Sequence, residues 1–394
     1  MSLKARKDVS PTELVKEALT AAKAKSINRQ QIDWEGLEPN ILHKAEACQT
    51  LTEAHEVIRE LLKELNDEHS FLWTPDNAKK AVEANHSGLR VHQLEPVVID
   101  VFPDSPAERA NIRVGDVVTQ VDGTPIKTEN WQAHIRRVLN ASTKLELAGE
   151  NSRTITLESG FVRPNPSPQG YLFEGCGVID LPGTWGEGEL ADGSDYGQIT
   201  RDLLHELESQ GAKAWIVDLR RNDGGNMWPM LAGLTPLLGV GEYGSFVKPG
   251  DDGWVWAFDG EQIGAQQNGS FFEDYAVEVE AFKPLVNPDV PVAVLTSAVT
   301  SSSGEIVLIG LLGHPKTRSF GLGTGGIPTS NEMITLADGS WLLLTTYYCA
   351  DRLGCGYKGV IEPDERVDID WNAFAQAHDP VLAAARQWVG TQLE

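Results

Sequence analysis

The chain has 394 residues, 41% apolar and 23% charged, which suffices for two or three domains with a sizeable core of ordinary globular composition. Its 33 Lys and Arg against 57 Asp and Glu give a formal net charge of -24, which repels phosphate backbones and anionic headgroups, so nucleic acid is not an expected partner. No stretch approaches the roughly 18 uninterrupted apolar residues of a membrane span, and a soluble protein is expected.

From residue 11 to about residue 80 apolar residues recur at spacings of three and four, the pattern of helices with one buried face. That periodicity stops at Asn66-Asp67-Glu68-His69-Ser70-Phe71-Leu72. Between His86 and Gly160 the pattern changes to short alternating strands at 96–101, 116–121, 144–147 and 154–157, divided by turns such as Pro103-Asp104-Ser105-Pro106 and Asp122-Gly123-Thr124-Pro125. Three prolines with Gly and Asn breakers over 162–170 read as a linker. Beyond it, 214–219 and 292–295 are short apolar strands, each followed by a small-residue loop and a helix-like run. Such units predict an α/β sheet with functional loops at the strand C-terminal ends. Three segments result: a helical region over 1–84, a β-rich domain over 85–161 and an α/β domain over 162–394.

The sequence as given opens Met1-Ser2-Leu3-Lys4 with no apolar segment, so no secretory signal is recognisable in it. Removal of a leader would place the protein in the periplasm or outside the cell; otherwise the cytoplasm is expected. Cys48, Cys176, Cys349 and Cys355 are too few and scattered for a disulfide scaffold. Only Cys349 and Cys355 are near neighbours, across a hairpin tip where a disulfide and free thiols are both open.

Chemistry concentrates in two loops. Thr300-Ser301-Ser302-Ser303-Gly304-Glu305 lies where a buried strand turns into a helix, and unpartnered amides at a helix N-terminus are ready donors to an oxyanion. The same residues also suit a plain helix cap. Arg220-Arg221-Asn222-Asp223-Gly224-Gly225-Asn226 follows the strand ending at Leu219; its glycines allow close backbone approach to a ligand, or simply form a turn. A serine nucleophile needs a base, and of nine histidines His69 interrupts a helix end where a loop can deliver it to a cleft. His55-Glu56 and His205-Glu206 lack the second histidine of HExxH, which disfavours a zinc protease. The nucleophile segment lacks the first glycine of GxSxG, which disfavours an α/β-hydrolase.

In combination these segments resemble the C-terminal processing (tail-specific) protease family of serine peptidases. Asn66-Asp67-Glu68-His69-Ser70-Phe71, Val217 through Gly225, Ser302-Ser303-Gly304-Glu305, Leu336-Ala337-Asp338-Gly339-Ser340 and Ile361-Glu362-Pro363-Asp364 look like that family's motifs in order. Val101 through Ala110 and Gly115-Asp116-Val117-Val118 resemble a PDZ domain, with a carboxylate loop near Ser87-Gly88-Leu89-Arg90-Val91. The resemblance implies a ClpP/crotonase-like protease domain that uses no metal or organic cofactor and acts on polypeptides, in some cases near their C-termini. In the better-known branch a lysine 25 positions after the serine is the base. Here that position is Ile327, which accepts no proton, so the tricorn-like Ser/His branch is the closer match. By that resemblance Ser302 is the nucleophile and His69 the base, the NH groups of Ser303 and of Gly224 or Gly225 hold the oxyanion, and Glu305 organises the site. Glu68 is a second candidate to orient His69, while Ser301 and Ser303 are nucleophiles if the register slips by one. Activity is expected to rise with pH near the ordinary histidine pKa of about 6.5.

The rival reading is a binding protein that captures peptides or apolar ligands on a protease-like fold without cutting them.

Overall fold

The helix signals of the first quarter are realised as Pro11–Lys25, Trp34–Ala47 and Leu51–Glu64. The computed structural model describes residues 9–76, 86–148, 152–248, 250–287 and 289–393, so the sequence expectation for 77–80 falls outside the described residues. Ser10 and Thr50 open their helices with capping boxes, each hydroxyl accepting from the amide of a glutamate three residues on, Glu13 or Glu53, at 3.2 Å. Asn66, at φ 52°, ends the third helix in the left-handed region that asparagine tolerates.

The chain divides into two compact units. The first comprises 1–82, 246–253 and 329–349. Leu14, Val15, Ala18 and Leu19 face Ile58, Leu61 and Leu62, the stripe that spacings of three and four produce. Leu72, Leu342 and Leu344 close this core from a sheet in which Phe71–Trp73 and Thr329–Thr335 both pair antiparallel with Trp341–Asp351. The strand at 71–73 replaces helix in the last part of the region that the sequence reads as mostly helical.

The second unit comprises 83–245, 254–328 and 350–394. Its β-rich part has strands Leu89–Val91, Val98–Val101, Val117–Val121, Thr143–Ala148 and Arg153–Leu157 around Leu89, Val98, Val118, Trp131, Leu145 and Leu147. Thr128–Asn140 is a helix that the strand pattern of this region does not announce. The α/β part is a sheet in the order 365–366, 317–321, 292–296, 215–218, 176–180, 169–173, parallel except for the last strand. The loops after Asp180, Asp218, Thr296 and Gly321 all leave the C-terminal ends of parallel strands, the side where such sheets place their sites. Cys48, Cys176 and Cys355 are free thiols, so no disulfide joins Cys349 to Cys355 across the hairpin tip.

One buried ion cluster fixes the strand that delivers the glycine loop. Arg220, fully buried, donates from Nε and Nη2 to Asp218 and from Nη1 and Nη2 to Asp379, at 2.6 to 3.2 Å. Two carboxylates against one guanidinium hold Arg220 charged, its pKa raised by both partners against the effect of burial. Arg220→Ala would leave two carboxylates buried without their cation, at a cost of about 3–5 kcal/mol. A large drop in the thermal midpoint is therefore expected, and a midpoint within 1–2 °C of the parent would refute this role.

Candidate active site

Ser302 stands between the strand Val292–Thr296 and the helix Ser303–Leu312, with φ 52° and ψ -119°. A non-glycine residue in that region is strained, at a cost on the order of 1–3 kcal/mol, and such outliers cluster at functional sites. The turn is held from both ends. Glu305 and Ile306 donate their amides to the Ser302 carbonyl at 2.9 and 3.0 Å, and the Ser302 N–H donates to Glu305 Oε2 at 2.9 Å.

Glu305 is fully buried, yet four donors meet its carboxylate: Thr324 Oγ1 at 2.5 Å, the amides of Gly326 and Ile327 at 3.0 Å, and that of Ser302. Burial pushes its pKa up while these hydrogen bonds pull it down. Its place is thus at the junction of the Ser302 turn and the loop after Gly321.

Gly224 (φ 94°) lies against the same turn. A Cβ built on it would fall 2.8 Å from the Ser301 carbonyl oxygen, 2.9 Å from Ser302 Cβ and 3.2 Å from the Ser303 nitrogen, so only glycine fits. Its own N–H donates to Asn222 Oδ1 at 3.0 Å. Gly225 (φ 113°) pairs with Thr184 of the loop after Asp180, and its carbonyl accepts from Ser303 Oγ at 2.7 Å. Sequence reasoning thus selected residues that the fold brings together: Ser302, Ser303, Glu305, Gly224 and Gly225. Asn222, which it passed over, is buried, donates to the Leu181 carbonyl at 2.9 Å and accepts from Ser301 N–H on its own carbonyl at 3.0 Å.

His69 belongs to the first unit and precedes the strand Phe71–Trp73. Asp67 shapes its turn: Oδ1 accepts from the His69 and Ser70 amides at 3.1 and 2.6 Å and from Thr345 Oγ1 at 2.9 Å, and Oδ2 accepts from Ser70 Oγ at 2.9 Å. Asn331 Nδ2 donates to the His69 carbonyl at 3.0 Å, and Nδ1 lies 2.7 Å from Thr329 Oγ1. The ring's partner is therefore a hydroxyl, while Glu68 is exposed. Burial lowers the His69 pKa to about 4, opposed by the charge of Asp67, so the imidazole is neutral at neutral pH.

Residues 175–367 match peptidase family S41, and residues 97–148 match a PDZ domain. The segment 175–367 belongs to peptidase family S41. The chain is 30% identical over 235 residues to the nisin-resistance protein of Lactococcus lactis, a match covering 59% of this chain and 65% of that one. It is 24% identical over 374 residues to the chloroplastic C-terminal processing peptidase of Tetradesmus obliquus, covering 87% and 74%. In fold it resembles the photosystem II D1 C-terminal processing protease, with a TM-score of 0.60, 20% identity and 92% and 94% of the two chains covered. An S41 chain is a serine-type peptidase, and the reading of a binding protein without hydrolysis is not favoured.

Two further segments, the ones that resemble the family's closing motifs, are fixed by hydrogen bonds. Asp338 and Ser340 form a turn in which Ser340 Oγ donates to Asp338 Oδ2 at 2.8 Å and His55 Nε2 lies 2.7 Å from the same oxygen. Asp364 Oδ2 accepts from the Ser319 amide and hydroxyl at 2.8 and 2.9 Å. In the PDZ part, Gly88 (φ 82°) is pressed against Ser105, and Leu89–Val91 pairs antiparallel with Val98–Val101. Arg90 turns inward, donating to the Arg221 carbonyl at 2.6 Å with Asp223 at 2.9 Å.

Proposed function

We propose that this chain is an endopeptidase of the Ser/His type, acting on polypeptides and in some cases near their C-termini. Ser302 Oγ attacks the peptide carbonyl carbon as its proton passes to His69 Nε2; the C–N bond then breaks and the amine leaves with that proton. Water, deprotonated by the same imidazole, releases the acyl group and regenerates Ser302. The Ser303 amide with a glycine amide of the 224–225 pair stabilises the oxyanion, each donor contributing on the order of 10²- to 10³-fold. Gly225 is the glycine donor, because the Gly224 N–H already donates to Asn222 Oδ1. Glu305 keeps the turn in shape, Thr329 sets the tautomer by accepting a hydrogen bond from His69 Nδ1–H on its Oγ1, and residues 85–161 present substrate termini, with Gly88, Leu89, Arg90 and Val91 at the peptide edge. Residues 1–84 supply the base and 162–394 the nucleophile.

The observation that carries this reading is the strained Ser302 turn at the head of a helix with Gly224 against it. The direct test treats the purified protein with a fluorophosphonate and maps the adduct by mass spectrometry. An adduct on Ser302 is expected; one on Ser301 or Ser303 would shift the assignment. Thr329→Val should lower kcat about 10- to 100-fold with KM little changed, because the ring loses the bond that selects its tautomer. Thr329→Ser should restore most of that loss, and a valine variant of normal kcat would sink the positioning role.

A further inference from the structure

The peptidase reading leaves one exposed aromatic beside the glycine loop without a task. Trp185, in the loop after Asp180, is 52% exposed. A lone exposed apolar side chain needs no explanation by itself. What distinguishes Trp185 is a fixed main chain. Its N–H donates to Asn165 Oδ1 at 2.9 Å and its carbonyl accepts from Asn165 Nδ2 at 2.9 Å. The neighbours on both sides are pinned to Asn226, whose N–H donates to the Thr184 carbonyl and whose Nδ2 donates to the Gly186 carbonyl, each at 2.7 Å.

The clamp lies next to the chemistry. A Cβ on Gly225 would fall 1.9 Å from the Thr184 carbonyl oxygen, and one on Gly183 would fall 2.5 Å from that of Gly224, so these backbones are in contact. Gly224 in turn abuts Ser302 Cβ. One main-chain layer, the glycine loop, separates the Trp185 segment from the Ser302 turn. Asn165 also lines a cavity of about 560 Å³ with Phe102, Pro164, Pro166, Pro182 and Leu190, which extends the apolar surface available beside this loop. A large aromatic with few rotamers, held on an immobile backbone, is the kind of residue that dominates recognition.

We infer that Trp185 is a specificity-determining residue of the substrate site, its indole packing against an aromatic or large aliphatic side chain of the polypeptide near the scissile bond. This rests on the assignment of Ser302 as nucleophile. The test uses the full chain and a peptide series in which each residue flanking the cleaved bond is varied among Phe, Leu, Ser and Gly. In the parent, kcat/KM should favour Phe or Leu over Gly at one flanking position. Trp185→Ala should reduce that preference about 10-fold or more, chiefly through KM, and Trp185→Phe should keep most of it. A merely structural role would lower kcat/KM for all peptides by a common factor, and an unchanged preference overturns the proposal.

A second arm needs no turnover. In a Ser302→Ala background, adding Trp185→Ala should weaken binding of a fluorescein-labelled Phe-containing peptide about 10-fold by anisotropy, and an unchanged Kd overturns the proposal. Failure of the parent to cleave any peptide would count against the hydrolytic reading alone, because this arm still reports on Trp185.

Discussion

Ser302→Ala is expected to abolish fluorophosphonate labelling and to lower kcat on the order of 10⁴- to 10⁶-fold. A hydroxyl that forms the covalent intermediate has no substitute in alanine, and what survives is the modest rate enhancement from substrate binding and oxyanion donors alone. The substitution removes one oxygen from a turn whose backbone bonds run through the Ser302 amide and carbonyl, so the fold should persist. Circular dichroism should be unchanged and peptide binding retained. Groups that act as a unit lose their effect together, so the Ser302→Ala/His69→Ala double variant should be about as slow as the worse single one. If the two losses instead multiply, the residues act in separate steps and the proposed proton transfer is wrong.

His69→Ala should lower kcat nearly as far, and His69 also sets where activity depends on pH. The base must be neutral to accept a proton, and burial lowers its pKa to about 4. The acid limb of kcat/KM is therefore expected near pH 4, with a plateau through neutrality, instead of near the ordinary value of about 6.5 that the sequence alone predicts. A limb well above pH 8 would point to a lysine base such as Lys358. Stability carries the same signature. Because the folded pKa is depressed, the unfolded chain takes up a proton first as pH falls; stability is full above about pH 6.5 and declines from there towards pH 4. For one histidine shifted this far the loss is roughly 3 kcal/mol. Urea titrations at pH 7 and pH 4.5 should show it, and His69→Gln should remove that part of the difference.

What the sequence revealed of this site is what short-range spacing controls. A strand, a small-residue loop and a helix are neighbours in the chain, so the 300–305 and 220–226 loops are recognisable from composition and order, while the choice of Ser302 and Glu305 within the first comes from the family resemblance. Glu305 is three residues from Ser302, one helical turn, which is why its carboxylate reaches back to the Ser302 amide. The surroundings of His69 were not legible in that way. Thr329, Asn331 and Thr345 come to it through the register of antiparallel strands some 260 to 280 positions away. No local pattern encodes such a register. The Asn165 clamp on Trp185 is equally silent, because an asparagine among prolines reads only as a linker. Thr128–Asn140 is a different case. Trp131, Ile135 and Val138 do recur at helical spacing, but the alternating strands on either side dominate the reading of that interval.

The unusual φ of Ser302 sets a conflict between the demands of folding and of chemistry at one codon. Glycine would relax there, whereas only a hydroxyl can form an ester with substrate. A library randomised at this position and screened for thermal survival alone should drift towards glycine, and the same library screened for proteolysis should return serine, with the hardiest clones of the first screen catalytically dead.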